Sequence, residues 1–337
     1  MGNSISLKTT LLTKMKDRFN REIDYLRISV TDNCNLRCVY CMDETEQNFL
    51  KNCQKLTDEE ILRIVKTAAK LGIKKIRITG GEPLVRPGIV DLIGKINQVN
   101  GIEEIYLTTN GTVLANQVKT LSENGLKGVN ISLDSLKENR FHQITRRGDV
   151  NRVLEFIDQC LMNGLKVKLN TVLVDDLNKD EILDFVKLTI EKPIDVRFIE
   201  LMPIGIGKVH KGVTNEEVLE IIERTYPNLL KEGRSQSGGP ASYIRVNQAL
   251  GQIGFISAIS NCFCQECNRI RVTADGFLKQ CLHFNYGVNL RDLMRADLTD
   301  EELLEVMKEN IYQKPEKHLF NLKGKDEEVK KMNEIGG

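Results

Sequence analysis

The sequence predicts an α/β fold built on a parallel sheet, and three patterns carry that prediction. Short β-branched runs alternate with amphipathic stretches about six times between residues 25 and 200. Cysteine and glycine clusters fall directly after those runs, where loops leave the strands. Beyond Pro203 the alternation stops, and glycine-rich loops and shorter runs replace it. Repeated strand–helix alternation implies a parallel sheet, either open or curled toward a barrel. In both geometries functional groups gather at the C-terminal ends of the strands.

The strand candidates are Tyr25–Val30, Lys74–Thr79, Glu104–Thr108, Gly128–Leu133, Lys166–Val174 and Asp195–Ile199. The clearest helix is Asp58–Leu71, with a Thr57/Glu60 capping box at its start and Leu71-Gly72 at its end. Further helices are expected over Ile89–Val99, Ala115–Asn124, Val150–Asn163 and Lys179–Ile190. After Pro203 the loop signals are Gly205, Gly207, Gly212 and the run from Ser235 to Pro240. Short strands follow at Ser242–Val246, Gln252–Ser257 and Arg269–Thr273, with helices near Leu290–Ala296 and Asp300–Glu309. A boundary between a barrel and an appendage is expected near 203–213, dividing residues 1–205 from 206–337.

At 337 residues the chain has room for one large domain or two moderate ones. Hydrophobic content of 41% and charged content of 28% are ordinary for a globular protein. A net charge of +1 gives no reason to expect nucleic acid or a membrane surface as partner. Nothing approaches the ~20 apolar residues of a membrane span, and the N-terminal segment lacks a signal-peptide core. Nine cysteines, six of them in two tight groups, are unlike a secreted disulfide framework. They fit a reducing cytoplasm and metal-bound thiolates.

The first group is Cys34, Cys38 and Cys41, directly after the first strand. Three thiolates can hold three irons of a four-iron cluster and leave the fourth open. An open position next to three protein ligands marks a catalytic metal site rather than a structural one. The alternative is a zinc knuckle with Cys53 as fourth ligand, although only Cys38 and Cys41 form a Cys-x-x-Cys pair. The second group is Cys264, Cys267 and Cys281, with thirteen residues between the last two. Here Cys262 could complete a zinc site, so zinc and a cluster both stand on spacing. Cys160 falls in a helical stretch and reads as a small buried apolar residue.

Gly80-Gly81-Glu82-Pro83 follows the second strand, where paired glycines let the backbone approach a ligand and Glu82 can accept from an ammonium. Thr108 to Gly111 and Ser132 to Asp134 also end strands, and their polar groups suit ribose hydroxyls or simple turns. Arg27, Arg77 and Lys168 lie inside strand candidates, and Arg269 and Arg271 share one face of another. Cations in strand interiors are costly unless paired or turned into a polar cavity. Several together suit a polyphosphate. Physics alone leaves the terminal Gly336-Gly337 frayed.

The first cysteine loop resembles the signature of the radical S-adenosylmethionine enzymes, with Tyr40 where that family carries an aromatic near the adenine. With the stretches 24–32, 75–84 and 197–202, the second cysteine group and the Gly-Gly end, nearly the whole chain resembles the GTP 3′,8-cyclases of molybdenum cofactor biosynthesis. The resemblance implies a partial (β/α)6-type TIM-like barrel with a C-terminal cluster-binding extension. It implies two [4Fe-4S] clusters, one on Cys34, Cys38 and Cys41, the other on Cys264, Cys267 and Cys281. It implies that a 5′-deoxyadenosyl radical takes the ribose 3′ hydrogen of GTP, after which the sugar carbon attacks C8. Tyr40, Gly80, Gly81, Glu82, Ser132 and Met202 match S-adenosylmethionine positions. Arg27, Arg77, Thr108, Lys168, Arg269 and Arg271 match GTP positions, and Arg269, Arg271, Gly336 and Gly337 match catalytic ones. Implied partners are an electron donor and the downstream cyclic pyranopterin monophosphate synthase; a homodimer is compatible with the resemblance. His283, after Cys281, departs from the family's usual apolar residue. The rival readings are a peptide-modifying radical S-adenosylmethionine maturase and a non-catalytic iron–sulfur or zinc scaffold.

Overall fold

The structure is a computed structural model that describes residues 14–234, 239–260, 263–319 and 330–336. Cys262, Gly337 and the loop signal at 235–238 lie outside the described residues. Six parallel strands run side by side in chain order: β1 (Tyr25–Ser29), β2 (Lys75–Thr79), β3 (Glu104–Thr109), β4 (Leu126–Ser132), β5 (Lys166–Leu173) and β6 (Ile194–Glu200). The helices between them are α1 (Asp58–Lys70), α2 (Ile89–Asn97), α3 (Val118–Glu123), α4 (Glu138–Thr145), α5 (Val150–Met162) and α6 (Ile182–Glu191). The capping box at α1 is present, with the Glu60 amide donating to Thr57 Oγ1 at 3.2 Å and the Thr57 amide donating back to Glu60 at 2.8 Å.

Residues after α7 (Asn215–Thr225) add β7 (Leu229–Arg234), β8 (Ser242–Val246), β9 (Ile253–Ile256), β10 (Arg269–Val272), β11 (Phe277–Lys279) and β12 (Gly287–Asn289). They do not form a separate sheet. β9 pairs parallel with β6, β10 pairs parallel with β1, and antiparallel pairs extend both edges into one twelve-stranded sheet. The expected appendage is therefore two flanks of the same sheet. α8 (Leu290–Arg295) and α9 (Asp300–Tyr312) complete the C-terminal part, together with a short tail helix, α10 (Met332–Ile335).

Strand alternation sorts the side chains by face. Leu26 and Ile28, Ile76 and Ile78, Ile105 and Leu107, and Val196 and Phe198 are buried in one continuous apolar core with the helices. The alternate residues Arg27, Arg77, Tyr106 and Arg197 line a cavity on the other face. Residues of β10 and β8 share that cavity, though a flat sheet would hold these strands roughly 38 Å apart at ~4.8 Å per strand. The sheet is thus curled into a partial barrel, polar inside and apolar outside.

Sequence reasoning passed over α4, α7 and the edge strands β7, β11 and β12. β11 and β12 have only three residues each, and Gly233 shifts the β7 register. α7 carries a clear signal in its Thr214 cap, which accepts from the Glu217 amide at 3.2 Å. Phe198 sits on the core face of β6, with ring centroids 6.5 Å from both Phe185 and Phe255. Replacing it by alanine is expected to cost about 3–5 kcal/mol of stability. Denaturant unfolding measures that loss; ligand binding in the folded fraction should stay intact, because the side chain points away from the cavity.

Candidate active site

The cavity has a volume of about 530 Å³ and takes lining residues from nearly every strand. Its deep wall is cationic. In strand register Arg271 lies beside Arg27, and Arg27 beside Arg77, so three guanidinium-bearing residues stand level on adjacent strands. One step toward the strand starts, Arg269, Tyr25 and Lys75 repeat the arrangement. Arg77 donates through Nε to the Tyr25 hydroxyl and through Nη1 to the Leu107 carbonyl at 3.3 Å. Burial and then Arg271 hold Arg27 well below its ordinary value. Burial and then Arg269 bring Arg271 down to about 10. Burial would raise the Tyr25 phenol, but Arg77 and Arg27 bring it to about 8. Arg197 adds to this wall from β6, and among the described residues its Nε and Nη2 have no hydrogen-bond partner. Neither have the nearby Thr108 Oγ1 and Asn170 Oδ1, which face the same cavity. A buried guanidinium without an acceptor is unfavourable, so these orphaned atoms fit a bound anion carrying hydroxyl groups. Lys168 differs, because Asp195 pairs with it at 2.8 Å and the Tyr243 hydroxyl accepts at 3.3 Å.

The cavity mouth is built by the loops after the strands. Cys34, Cys38 and Cys41 all line it. Gly81 lets the second loop pack against the cysteine loop: a Cβ there would lie 2.5 Å from the carbonyl oxygens of Asp32 and Asn33. The Gly81 amide donates to Thr31 O at 2.8 Å, and the Glu82 amide to Asn33 O at 2.7 Å. Gly80, Tyr40, Ser132 and Met202 line the same mouth. The Tyr40 hydroxyl donates to Asp134, whose carboxyl also accepts from the Val172 amide at 2.8 Å. Burial raises Asp134 to about 6 against those bonds.

Glu82 departs from expectation. It is fully buried behind the wall, and its carboxylate accepts from the amides of Leu84 (2.9 Å) and Asn110 (2.6 Å) and from the Thr109 hydroxyl (2.7 Å). The side chain ties the β2 and β3 loops together instead of reaching an ammonium in the cavity. Backbone at Gly80 and Gly81 is what this motif presents there.

The second cysteine group approaches from β10 and the loop after β11. Cys267 and Cys281 both act electrostatically on Arg271, which puts them around the same guanidinium. Burial would raise the Cys267 thiol, but Lys314 and Arg269 outweigh it and bring it down to about 6. The first group is the reverse: burial and Glu82 push Cys34 up to about 11, and burial and Cys34 push Cys41 up to about 12. Among the described residues no three His, Cys, Asp or Glu side chains close around a single ion. Thiolates spread wider than one ion requires suit a four-iron cluster, whose ligands sit on separate irons. Cys53 is exposed and Cys160 buried. His283 packs edge-on against Phe284, with centroids 4.6 Å apart.

The tail is not frayed. The Gly336 carbonyl accepts from Arg271 at 3.0 Å and from Thr79 at 3.4 Å, and Ile335 is buried. Gly336 has φ +79°, and a Cβ would stand 2.7 Å from Ser29 Cβ and Thr79 Oγ1. Lys331 anchors the tail to the cysteine loop through Asp43 at 2.7 Å and through Glu46. Sequence reasoning missed Tyr25, Lys75, Asn170 and Arg197 as cavity residues. The signal for Arg197 was the one used for Arg27 and Arg77, a cation inside a strand.

A cysteine loop at the mouth of a partial parallel barrel defines the class. A profile of the Radical SAM superfamily matches residues 28–189, and one described as Molybdenum Cofactor Synthesis C matches residues 194–320. The fold resembles SuiB of Streptococcus suis bound to S-adenosylmethionine, with TM-score 0.59 and 17% identity over 81% of this chain and 65% of that one. It also resembles anSMEcpe with bound AdoMet, with TM-score 0.54 and 18% identity over 84% of this chain and 81% of that one. A GTP 3′,8-cyclase of Clostridium perfringens (strain 13 / Type A) is 60% identical over 96% of this chain and all of its own length. One of Alkaliphilus oremlandii is 46% identical over the same shares. The chain belongs to the GTP 3′,8-cyclase family, within the radical S-adenosylmethionine superfamily.

Burial raises Glu82 from 4.5 to about 7. The folded protein therefore holds this proton more tightly than the unfolded chain, and the group's contribution to stability falls as pH rises through that interval. Over the whole interval the loss is about 3 kcal/mol, at roughly 1.4 kcal/mol per unit. In Glu82→Gln that slope should vanish, while the amide facing other N–H donors costs about 1–3 kcal/mol at low pH. Unfolding curves of cluster-free protein across pH check both effects.

Proposed function

We propose that this cavity binds two [4Fe-4S] clusters, S-adenosylmethionine and GTP together, and that the reaction is cyclisation of GTP to (8S)-3′,8-cyclo-7,8-dihydroguanosine 5′-triphosphate. That is the first step of molybdenum cofactor biosynthesis. The observation that carries the reading is the buried arginine wall, in which Arg197 Nε and Nη2 have no hydrogen-bond partner among the described residues, in the same cavity as a three-cysteine loop. A non-catalytic scaffold has no use for such a wall, and a peptide substrate does not bring a triphosphate's charge to it.

Cys34, Cys38 and Cys41 would hold the first cluster, and Cys264, Cys267 and Cys281 the second. The first cluster and S-adenosylmethionine, once bound, supply the one-electron chemistry that removes the ribose 3′ hydrogen. The chain does the positioning. Gly80 and Gly81 offer backbone to the methionine end, Ser132 and Met202 flank the nucleoside, and Tyr40 is braced by Asp134. Arg27, Arg77, Arg269 and Arg271 fork onto the triphosphate, with Arg197 beside them. Thr108 and Lys168 complete the nucleotide's surroundings. Gly336, fastened to Arg271, closes the cavity against water, which protects reactive intermediates; Gly337, outside the described residues, keeps only the catalytic role that the resemblance implies. In this division residues 1–205 supply the radical chemistry and residues 206–337 the second cluster and the plug.

The reading requires an electron donor and a reducing compartment, which the cytoplasm provides, and it passes the product to the cyclic pyranopterin monophosphate synthase. A homodimer is compatible with it. Among the described residues no helix is long and apolar enough to cross a membrane.

The test is anaerobic. Cluster-loaded, reduced protein should release 5′-deoxyadenosine from S-adenosylmethionine in a GTP-dependent manner and form an isomer of GTP. Release that is equal with GTP, ATP or no nucleotide would refute the substrate. Arg197→Met should raise thermal stability without nucleotide, since it removes a buried unpaired charge, and should weaken GTP binding about 10- to 100-fold. Thermal unfolding with and without GTP reads both.

A further inference from the structure

One buried cation stands between the two segments that carry the second cysteine group. Lys314, just past α9, is only 2% exposed. Its ammonium donates to the Arg269 carbonyl at 2.9 Å and the Gln280 carbonyl at 2.6 Å. Arg269 is two residues beyond Cys267, and Gln280 directly precedes Cys281. The charge is therefore held between the two segments that carry these cysteines. Among the described residues Lys314 makes no ion pair with a carboxylate. Of the other cations near these cysteines, Arg269 and Arg271 belong to the cavity wall, and Arg21 is matched by Asp17 at 2.6 Å and donates also to the Cys264, Pro315 and Glu316 carbonyls.

A buried ammonium without a counter-anion is strongly unfavourable, and carbonyl dipoles compensate it only in part. A four-iron cluster on three thiolates is an anion, and it gains a further negative charge on reduction. We propose that Lys314 is the counter-charge of the second cluster, favours its reduced form and makes it easier to reduce than the first. The inference rests on the two-cluster reading above. Around Cys34, Cys38 and Cys41 the carboxylates of Glu82 and Asp134 act the other way, opposed by Arg37 and by Lys331, whose charge is matched by Asp43 and Glu46. Such an ordering lets the second cluster hold an electron beside the substrate.

The measurement is a potentiometric titration of the anaerobic holoenzyme, followed by electron paramagnetic resonance, after iron and sulfide analysis. Lys314→Gln keeps a donor for the carbonyls and removes the charge; Lys314→Arg keeps the charge. In Lys314→Gln the reduced-to-oxidised ratio of the second cluster at fixed potential should fall at least tenfold, about 59 mV for one electron. The first cluster should not move, and Lys314→Arg should stay near wild type. Loss of the second cluster in Lys314→Gln with retention in Lys314→Arg supports the same role. An unchanged second potential in Lys314→Gln, or equal loss of the cluster in both variants, overturns the counter-charge. A wild type that loads only one cluster overturns the two-cluster reading and this inference with it, and the iron count separates that failure from the others.

Discussion

The constraint on which the rest depends is a set of guanidinium groups buried on one face of a sheet. Arg27, Arg77 and Arg271 stand level on neighbouring strands, and Arg197 joins them from β6. Like charges about 5 Å apart in backbone register repel, and burial strips them of water. Such an arrangement persists only where something else holds the strands. That support is the other face, where Leu26, Ile28, Ile76, Ile78, Val196 and Phe198 pack into the helical layer. The sheet is stabilised from outside, so that its inside can keep Arg197 Nε and Nη2 without an acceptor among the described residues.

The same constraint explains why the C-terminal segment joins the sheet at its edges. β10 must lie beside β1 for Arg271 to stand level with Arg27, and Cys267 and Cys281 act on that same Arg271 guanidinium. On the opposite flank β9 continues β6 and brings β8 with it, so Tyr243 meets Lys168. The tail then crosses the opening, fixed at Lys331 by the cysteine loop and at Gly336 by Arg271. One arginine is thus neighbour to the second cysteine group, member of the cationic wall and anchor of the tail.

Much of this was legible in the sequence, because each signal was local. The six strands, the α1 capping box and the cysteine loop are written in contiguous residues. Arginine inside a strand pattern announced the polar cavity, since only an inward-facing position makes it tolerable. What was not legible depended on tertiary pairing. No local pattern says that strands near residues 253 and 269 flank opposite edges of the earlier sheet. Glu82 misled for a related reason: its sequence neighbours suggest a ligand, while its partners Thr109 and Asn110 come from the next strand's end. The tail was opaque to physics alone because its partners, Thr79, Asp43 and Arg271, are distant in sequence.

Charge also varies along the cavity. At the mouth, burial first, and then Glu82, Asp134 and neighbouring cysteines, raise each thiol of the first group against Arg37 and Lys331. At the deep wall the field is positive, Arg27, Arg197 and Arg271 are lowered, and even the Tyr25 phenol is drawn toward ionisation. S-adenosylmethionine carries net positive charge through its sulfonium and ammonium, whereas a nucleoside triphosphate is a polyanion. In the proposed arrangement each lies at the end that favours it, and the field opposes the exchanged one, in which a triphosphate meets the carboxylate of Asp134 and a sulfonium meets guanidinium groups. Orientation by a standing field needs no closing motion to discriminate. It fixes which end of the nucleotide faces the mouth before the tail or any loop makes contact.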